Sequence, residues 1–303
     1  MLTQPGRRSH LRRRKREERL IKVLFLAAAM VSVVTTVAIV VVLLTDSFRF
    51  FAEVPVWNFL TDAHWDPPVA FGVLPLINGT LLVAGIAGVV AFVLGLGSAI
   101  FLSEYAPERL ARTLKPILEV LAGIPTVVYG YFALLFISPL LRSIFGVEVV
   151  PLFNPLSAGI AMGLLITPLV STLAEDAMLA VPRSLRYSAY ALGATKLEVV
   201  FKVVVPAALS GIIAAFILAL SRAIGETLIV TIAAGLQPNL TINPFESAQT
   251  ITSAIVRTVG GEAPRDSIEY TAIFALGLVL FLFTLSLNLV GHWIVRRFRL
   301  RYE

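Results

Sequence analysis

The run Leu209–Leu236 reads LSGIIAAFILALSRAIGETLIVTIAAGL. It is apolar over a length sufficient to cross a bilayer, yet Arg222 and Glu226 stand near its middle. An ionised arginine at that depth costs about 2.5–3.5 kcal/mol on insertion scales, a cost tolerated where the charge faces a protein interior or a water-filled path. The spacing between Arg222 and Glu226 puts both on one face of a helix, one turn apart. The run therefore predicts a spanning helix that carries a polar path.

The rest of the chain agrees with a membrane setting. Of 303 residues, 57% are hydrophobic and only 15% charged, where soluble domains sit nearer 45–50% and about 25%; mean hydropathy is +0.87. There is no cysteine, which excludes a disulfide framework, a thiolate metal site and a cysteine nucleophile. The net charge of +6 is concentrated beside apolar segments, as membrane topology requires, so it does not point to nucleic acid.

Six segments meet the roughly 20-residue requirement for a spanning helix: Leu20–Thr45, Gly79–Ser103, Ile117–Leu141, Leu156–Leu179, Ala207–Leu236 and Tyr270–Val295. The first follows Arg12–Arg16, as a signal peptide would, but its apolar run is too long and no small-residue cleavage site follows. It reads as a retained helix behind a basic arm over residues 1–19, with a transmembrane domain over 20–303. The arm (Arg7 to Arg19), the second connection (Arg109, Arg112, Lys115), the fourth (Arg183, Arg186, Lys196, Lys202) and the tail (Arg296, Arg297, Arg299, Arg301) hold most of the positive charge. On the other side Arg49, Arg142, Arg257 and Arg265 are diluted by acids including Asp46, Glu53, Asp62, Asp66, Glu262 and Asp266. The positive-inside rule then places both termini in the cytoplasm. The arm itself reads as a topology anchor in contact with membrane lipid, with protein binding the alternative.

Outside the membrane, Asp46–Asn78 and Gln237–Glu269 form long loops, and Trp57 and Trp65 are expected at the lipid–water interface. Gly159 with Gly163, and Ala84 with Gly88, predict close helix crossings. Pro125 and Pro168 each interrupt a span; the expected result is a kink, static or hinged, with the Thr167 hydroxyl occupying the acceptor that Pro168 frees. Glu175 and Asp176 are consecutive on a helix, about 100° apart, and do not converge on one ligand. They read as structural, pairing with Arg183 or Arg186, and Glu104 and Glu119 read the same way. His10, His64 and His292 are scattered, and no metal site is predicted.

The fourth connection, 181–206, predicts a short helix with Pro182 in its first turn and its end near Gly193, followed by membrane re-entry after Pro206. Its apolar and aromatic residues are Leu185, Tyr187, Tyr190 and Ala191. Taken on physics alone, it is an interfacial helix lying on lipid. Ala189, Gly193 and Pro206 also fall at the spacing of the EAA loop of ABC-importer permeases, which this segment resembles. Tyr187 stands where the family has Glu, Ser188 replaces the first Ala, and Val203 and Val205 replace Ile and Leu. Gly123-Ile124-Pro125-Thr126-Val127-Val128-Tyr129-Gly130 and Ser221-Arg222-Ala223-Ile224-Gly225-Glu226-Thr227 resemble the third- and fifth-helix motifs of phosphate-specific importer permeases. Trp65-Asp66-Pro67 and the run from Phe71 to Leu81 are similar to their C-type (PstC) member rather than to the A-type (PstA).

That resemblance implies an all-α polytopic membrane protein with six transmembrane helices, a type I ABC importer permease fold and a cytoplasmic coupling helix. It implies that Tyr187, Ala189, Tyr190, Gly193, Ala194 and Pro206 serve docking to an ATPase. It also implies that Ser221, Arg222, Glu226, Thr227 and Tyr129 line a phosphate path. Arginine's planar fork matches phosphate oxygens, and Glu226 would orient Arg222 or accept from a phosphate hydroxyl; the alternative is a structural ion pair between helices. Implied partners are a PstA-type permease, two ATP-binding subunits and a soluble phosphate-binding protein at the outer face of a bacterial plasma membrane. The chain carries no Gly-rich P-loop with its lysine, so ATP hydrolysis is expected on separate subunits and this chain is expected to be no enzyme, with no cofactor. Rival readings are a permease for molybdate or sulfate and a passive anion channel. An intramembrane enzyme has no Gly-x-Ser-x-Gly, His-Glu-x-x-His or paired catalytic Asp to support it.

Overall fold

In lipid a single chain segment satisfies all its backbone N–H and C=O groups only as a helix. The computed structural model of the chain holds, among the described residues, six helices long and apolar enough to cross a membrane. The structure describes residues 6–261, 264–265 and 267–298, with side chains between Glu18 and Arg297 within those ranges. The side chains of the basic arm from Arg7 to Arg16, with His10, Arg299, Arg301, Glu262 and Asp266, lie outside the described residues.

In chain order the elements are α1 (Gly6–Glu53), α2 (Val56–Thr61), a two-stranded antiparallel ribbon of β1 (Trp65–Asp66) and β2 (Ala70–Phe71), then α3 (Leu74–Tyr105), α4 (Glu108–Gly123) and α5 (Thr126–Phe145). After these come α6 (Pro155–Leu179), α7 (Arg183–Ala191), α8 (Lys196–Ile224), α9 (Leu228–Ala233), α10 (Ile251–Gly260) and α11 (Ile268–Phe298). Helices α1, α3, α5, α6, α8 and α11 supply the spans. Wider π-type turns interrupt α3 at Phe92–Leu96 and Phe101–Tyr105, α5 at Ala133–Ile137 and α8 at Val200–Val204.

The fourth span, α6, is the axis of the bundle. Its buried residues include Ala158, Ala161, Met162, Leu165, Ile166 and Val170, and they meet Val83, Ala87 and Ala91 of α3 and Ala219 and Ala223 of α8 in one apolar cluster. The crossing with α3 is as close as the small residues predict. A Cβ on Gly163 would stand 2.5 Å from Val90 Cβ, and one on Gly159 would stand 2.6 Å from Ile86 Cβ. A Cβ on Gly88 would stand 2.9 Å from Leu220, and Ala84 is buried. Helix α1, by contrast, packs against α11 and exposes its apolar side chains from Leu20 to Val42.

Several boundaries depart from the sequence expectation. The first helix runs on to Glu53, beyond Thr45. The third segment, Ile117–Leu141, is not one helix: α4 ends at Gly123, Ile124 is extended, and the span starts afresh at Thr126 behind Pro125. Proline disfavours helical geometry at the residue before it; Pro168 is accommodated inside α6, but at Pro125 the preceding Ile124 is extended and the chain breaks rather than kinks. Re-entry after the fourth connection begins at Lys196, capped by Thr195, so Pro206 lies inside α8 just past its π-type turn. At Pro168 the Thr167 hydroxyl donates to Gly163 O at 2.7 Å, its ordinary acceptor one turn back, not to the carbonyl that proline frees.

The two long loops, 46–78 and 237–269, fold into a cap at one end of the bundle. Phe50 of α1 meets Phe59 of α2 and Phe71 of β2 edge-on, each at 5.4 Å, and Trp65 meets Phe71 at 5.9 Å. Trp65 is therefore buried in this cluster, not interfacial, because β1 turns its ring inward; Trp57 is exposed. The second loop returns as α10, whose start is held by a Thr250–Ser253 capping box and by Ile251 N–H donating to Thr80 Oγ1 at 3.1 Å.

Candidate translocation and coupling sites

The decisive run does not form one helix. α8 ends at Ile224, Gly225 to Thr227 leave helical hydrogen bonding, and α9 resumes at Leu228 for six residues. Arg222 thus sits in the last turn of α8, while Glu226 lies beyond it, so the expected shared face one turn apart is not formed. The Glu226 carboxylate accepts the Leu228 N–H at 3.1 Å, capping α9, and its backbone carbonyl accepts the Thr252 hydroxyl of α10 at 2.8 Å. The apolar run hides this break, because Ile224, Ile229 and Val230 are buried on either side of it.

The Arg222 guanidinium is exposed and makes no hydrogen bond or ion pair with any described residue. A structural Arg222–Glu226 pair is accordingly not formed. A cation on the bundle surface at membrane depth cannot face hydrocarbon without the insertion cost. Ser221, its neighbour, donates to Asn288 Oδ1 of α11 at 3.0 Å, tying the fifth span to the sixth. The Thr227 hydroxyl donates to Gly225 O at 3.3 Å within the break. Tyr129 lies elsewhere: its ring is buried, its hydroxyl donates to Leu121 O at 2.9 Å, and it lines an apolar cavity of about 380 Å³ with Ile124, Phe132, Leu164 and Thr167. The structure brings Ser221, Arg222, Glu226 and Thr227 to one break and leaves Tyr129 without a bond to them.

At the opposite end of α8, α7 buries none of its residues. Leu185, Ala189 and Ala194 lean on a cluster of Ala99, Met178, Val199 and Val204. Tyr187, Tyr190 and Leu192 point outward, with Leu192 89% exposed. The predicted apolar face is therefore split: Leu185 turns in and the tyrosines turn out. Gly193 closes the helix at φ +85°, in the left-handed region that glycine enters without steric cost. Thr195 then starts α8 with a capping box to Glu198, whose other oxygen receives Lys202 at 3.0 Å.

Two buried carboxylates anchor this region. Glu175 pairs with Lys115 of α4 at 2.9 Å rather than with Arg183 or Arg186, because α4 folds back beside α6. Glu104 takes Arg186 at 2.9 Å, with both side chains largely buried. Removing one partner of such a pair costs about 3–5 kcal/mol, since the other charge is left buried. Sequence reasoning missed Lys115, Asn288, Thr252 and Thr80, whose signal is purely long-range.

Six spanning-length helices around α6, a fifth span that breaks after Ile224 beside an exposed arginine, and an exposed aromatic helix at the other end of that span are the features of a transport permease. Residues 91–300 match the binding-protein-dependent transport system inner membrane component family, and the chain belongs to it. It is 36% identical to the probable ABC transporter permease protein YqgH of Bacillus subtilis, over 76% of each chain. It is 33% identical to the phosphate transport system permease protein PstC of Mesorhizobium japonicum, over 80% of this chain and 79% of that one. To the probable PstC of Methanocaldococcus jannaschii it is 32% identical, over 83% and 84%. Among solved structures, a bacterial ABC transporter involved in the import of alginate shares the fold at TM-score 0.67 and 16% identity, over 95% and 99% of the two chains. The inward-facing MetNI methionine ABC transporter does so at TM-score 0.59 and 21% identity, over 77% and 99%. The type I importer permease fold is therefore the fold of this chain.

Proposed function

We propose that the chain is one of two permease subunits of an ATP-driven inorganic phosphate importer, forming half of the pathway by alternating access. The relatives named PstC support the substrate. The observation that carries the pathway is Arg222, exposed and paired with no described residue at the end of a spanning helix. A second permease of the PstA type would cover that surface, so that Arg222 faces a shared aqueous path instead of lipid. There its fork would take phosphate oxygens in paired charge-assisted bonds. Glu226 and Thr227, at the break, would meet a phosphate hydroxyl, and weak, transient contacts suit passage.

One of two ATP-binding subunits would dock on α7 through Tyr187, Tyr190 and the Gly193 turn, and the other on the second permease. A soluble phosphate-binding protein would deliver substrate to the outer cap. The loop charges favour both termini in the cytoplasm of a bacterial plasma membrane. The test is reconstitution of the chain with those partners in vesicles, followed by labelled phosphate uptake with molybdate and sulfate as competitors. ATP-dependent uptake that unlabelled phosphate alone suppresses supports the reading. Suppression by the other oxyanions overturns the substrate, and flux without ATPase subunits overturns the pump.

A further inference from the structure

One guanidinium holds the docking helix to two spans at once. Arg186 of α7 donates through Nη1 to Val181 O at 2.6 Å, and through Nη2 to Met178 O at 2.8 Å and Glu104 Oε1 at 2.9 Å. Met178 belongs to the last turn of α6, where carbonyls lack helical partners and a cation is favoured. Glu104 belongs to the last, π-type turn of α3. The three acceptors lie within the reach of a single planar fork, a match that arginine makes and lysine does not. The guanidinium and carboxylate are 14% and 7% exposed, so water screens the pair little. Beside this clamp, α7 rests on the bundle through partly buried residues, Leu185 and Ala189.

We propose that Arg186 is a positioning residue for energy coupling: it locks α7 to the cytoplasmic ends of α3 and α6, so that a push on α7 moves the second and fourth spans as one block. The clamp adds a route that bypasses the Gly193 turn and the start of α8. The inference rests on the proposed docking of ATPase subunits at α7.

The test uses the assembled complex carrying E104Q/R186M, which removes the pair without leaving a buried charge. Assembly and ATP hydrolysis are expected to persist while phosphate transported per ATP falls several-fold. R186K, which keeps the charge but not the fork, is expected to lose part of that ratio. Wild-type ratios in both variants overturn the proposal. Should E104Q/R186M fail to assemble, R186K alone decides, by the same ratio. A substrate-free readout separates this inference from the phosphate reading. With cysteines introduced at Ser188 and Thr172 of this cysteine-free chain, the spin-label distance is expected to stay fixed through the ATP cycle with the native pair and to change without it. An unchanged distance without the pair also overturns the clamp, whatever the transported anion.

Discussion

The Thr252 hydroxyl, at the start of α10, donates to the backbone carbonyl of Glu226 at 2.8 Å. This bond crosses from the loop cap to the break in the fifth span and satisfies a carbonyl that no helix there can use. It makes the break a held conformation, with Glu226 fixed from both sides by Thr252 and by the Leu228 N–H.

Thr252→Val should therefore leave that half-buried carbonyl without its partner, at a cost of about 1 kcal/mol. A lower melting temperature of the purified complex is expected, with Thr252→Ser close to wild type. Equal melting for Val and Ser would show that the bond contributes nothing.

Arg222→Gln removes an exposed charge that is paired with no described residue. Assembly should be unchanged, by co-purification of the partner subunits, while phosphate uptake drops to background. A variant that fails to assemble, or assembles and transports normally, contradicts the pathway role.

Gly163→Leu forces atoms into the contact with Val90, where even a Cβ would stand at 2.5 Å. Overpacking of this kind costs about 1–3 kcal/mol, so less protein should reach the membrane on immunoblots. Val90→Ala in the same chain should restore part of it. Gly97→Ala, where no atom lies within 4 Å of the new Cβ, should match wild type.

Gly193→Ala places a Cβ on a residue at φ +85°, a strain of about 1–2 kcal/mol. The turn between α7 and α8 should shift, weakening retention of the ATPase subunits on an affinity column, and Gly193→Asn should be milder because asparagine tolerates this region. Equal retention by both variants would mean the turn does not matter for docking.

The spans were legible because membrane depth demands long apolar runs, and the α7 region because Pro182 and Gly193 punctuate it. Arg222 was legible as an anomaly for the same reason. The break after Ile224 was not. Leu228 to Ala233 continues the apolar run, and only the long-range bond from Thr252 reveals that the helix has stopped. Pro125 signalled an interruption, but whether a span bends or ends depends on where α4 packs, through Lys115 and Glu175. Arg186 was among the arginines expected to pair with these carboxylates, although it reaches Glu104 from 82 positions away. Lys115, the partner of Glu175, carried no such signal.

The break also sorts the candidate residues by what they are fastened to. Arg222 rides on α8, a rod that starts at Lys196 beside the docking helix. Glu226 belongs to the loop cap, held by Thr252, and α9 beyond it is bound in turn through Ala233 O, which accepts the Asn154 N–H at 2.9 Å. In the proposed cycle, relative movement of rod and cap would fall on the three non-helical residues between them, Gly225 to Thr227. An anion held between Arg222 and Glu226 would then have its two contacts drawn apart by the stroke itself.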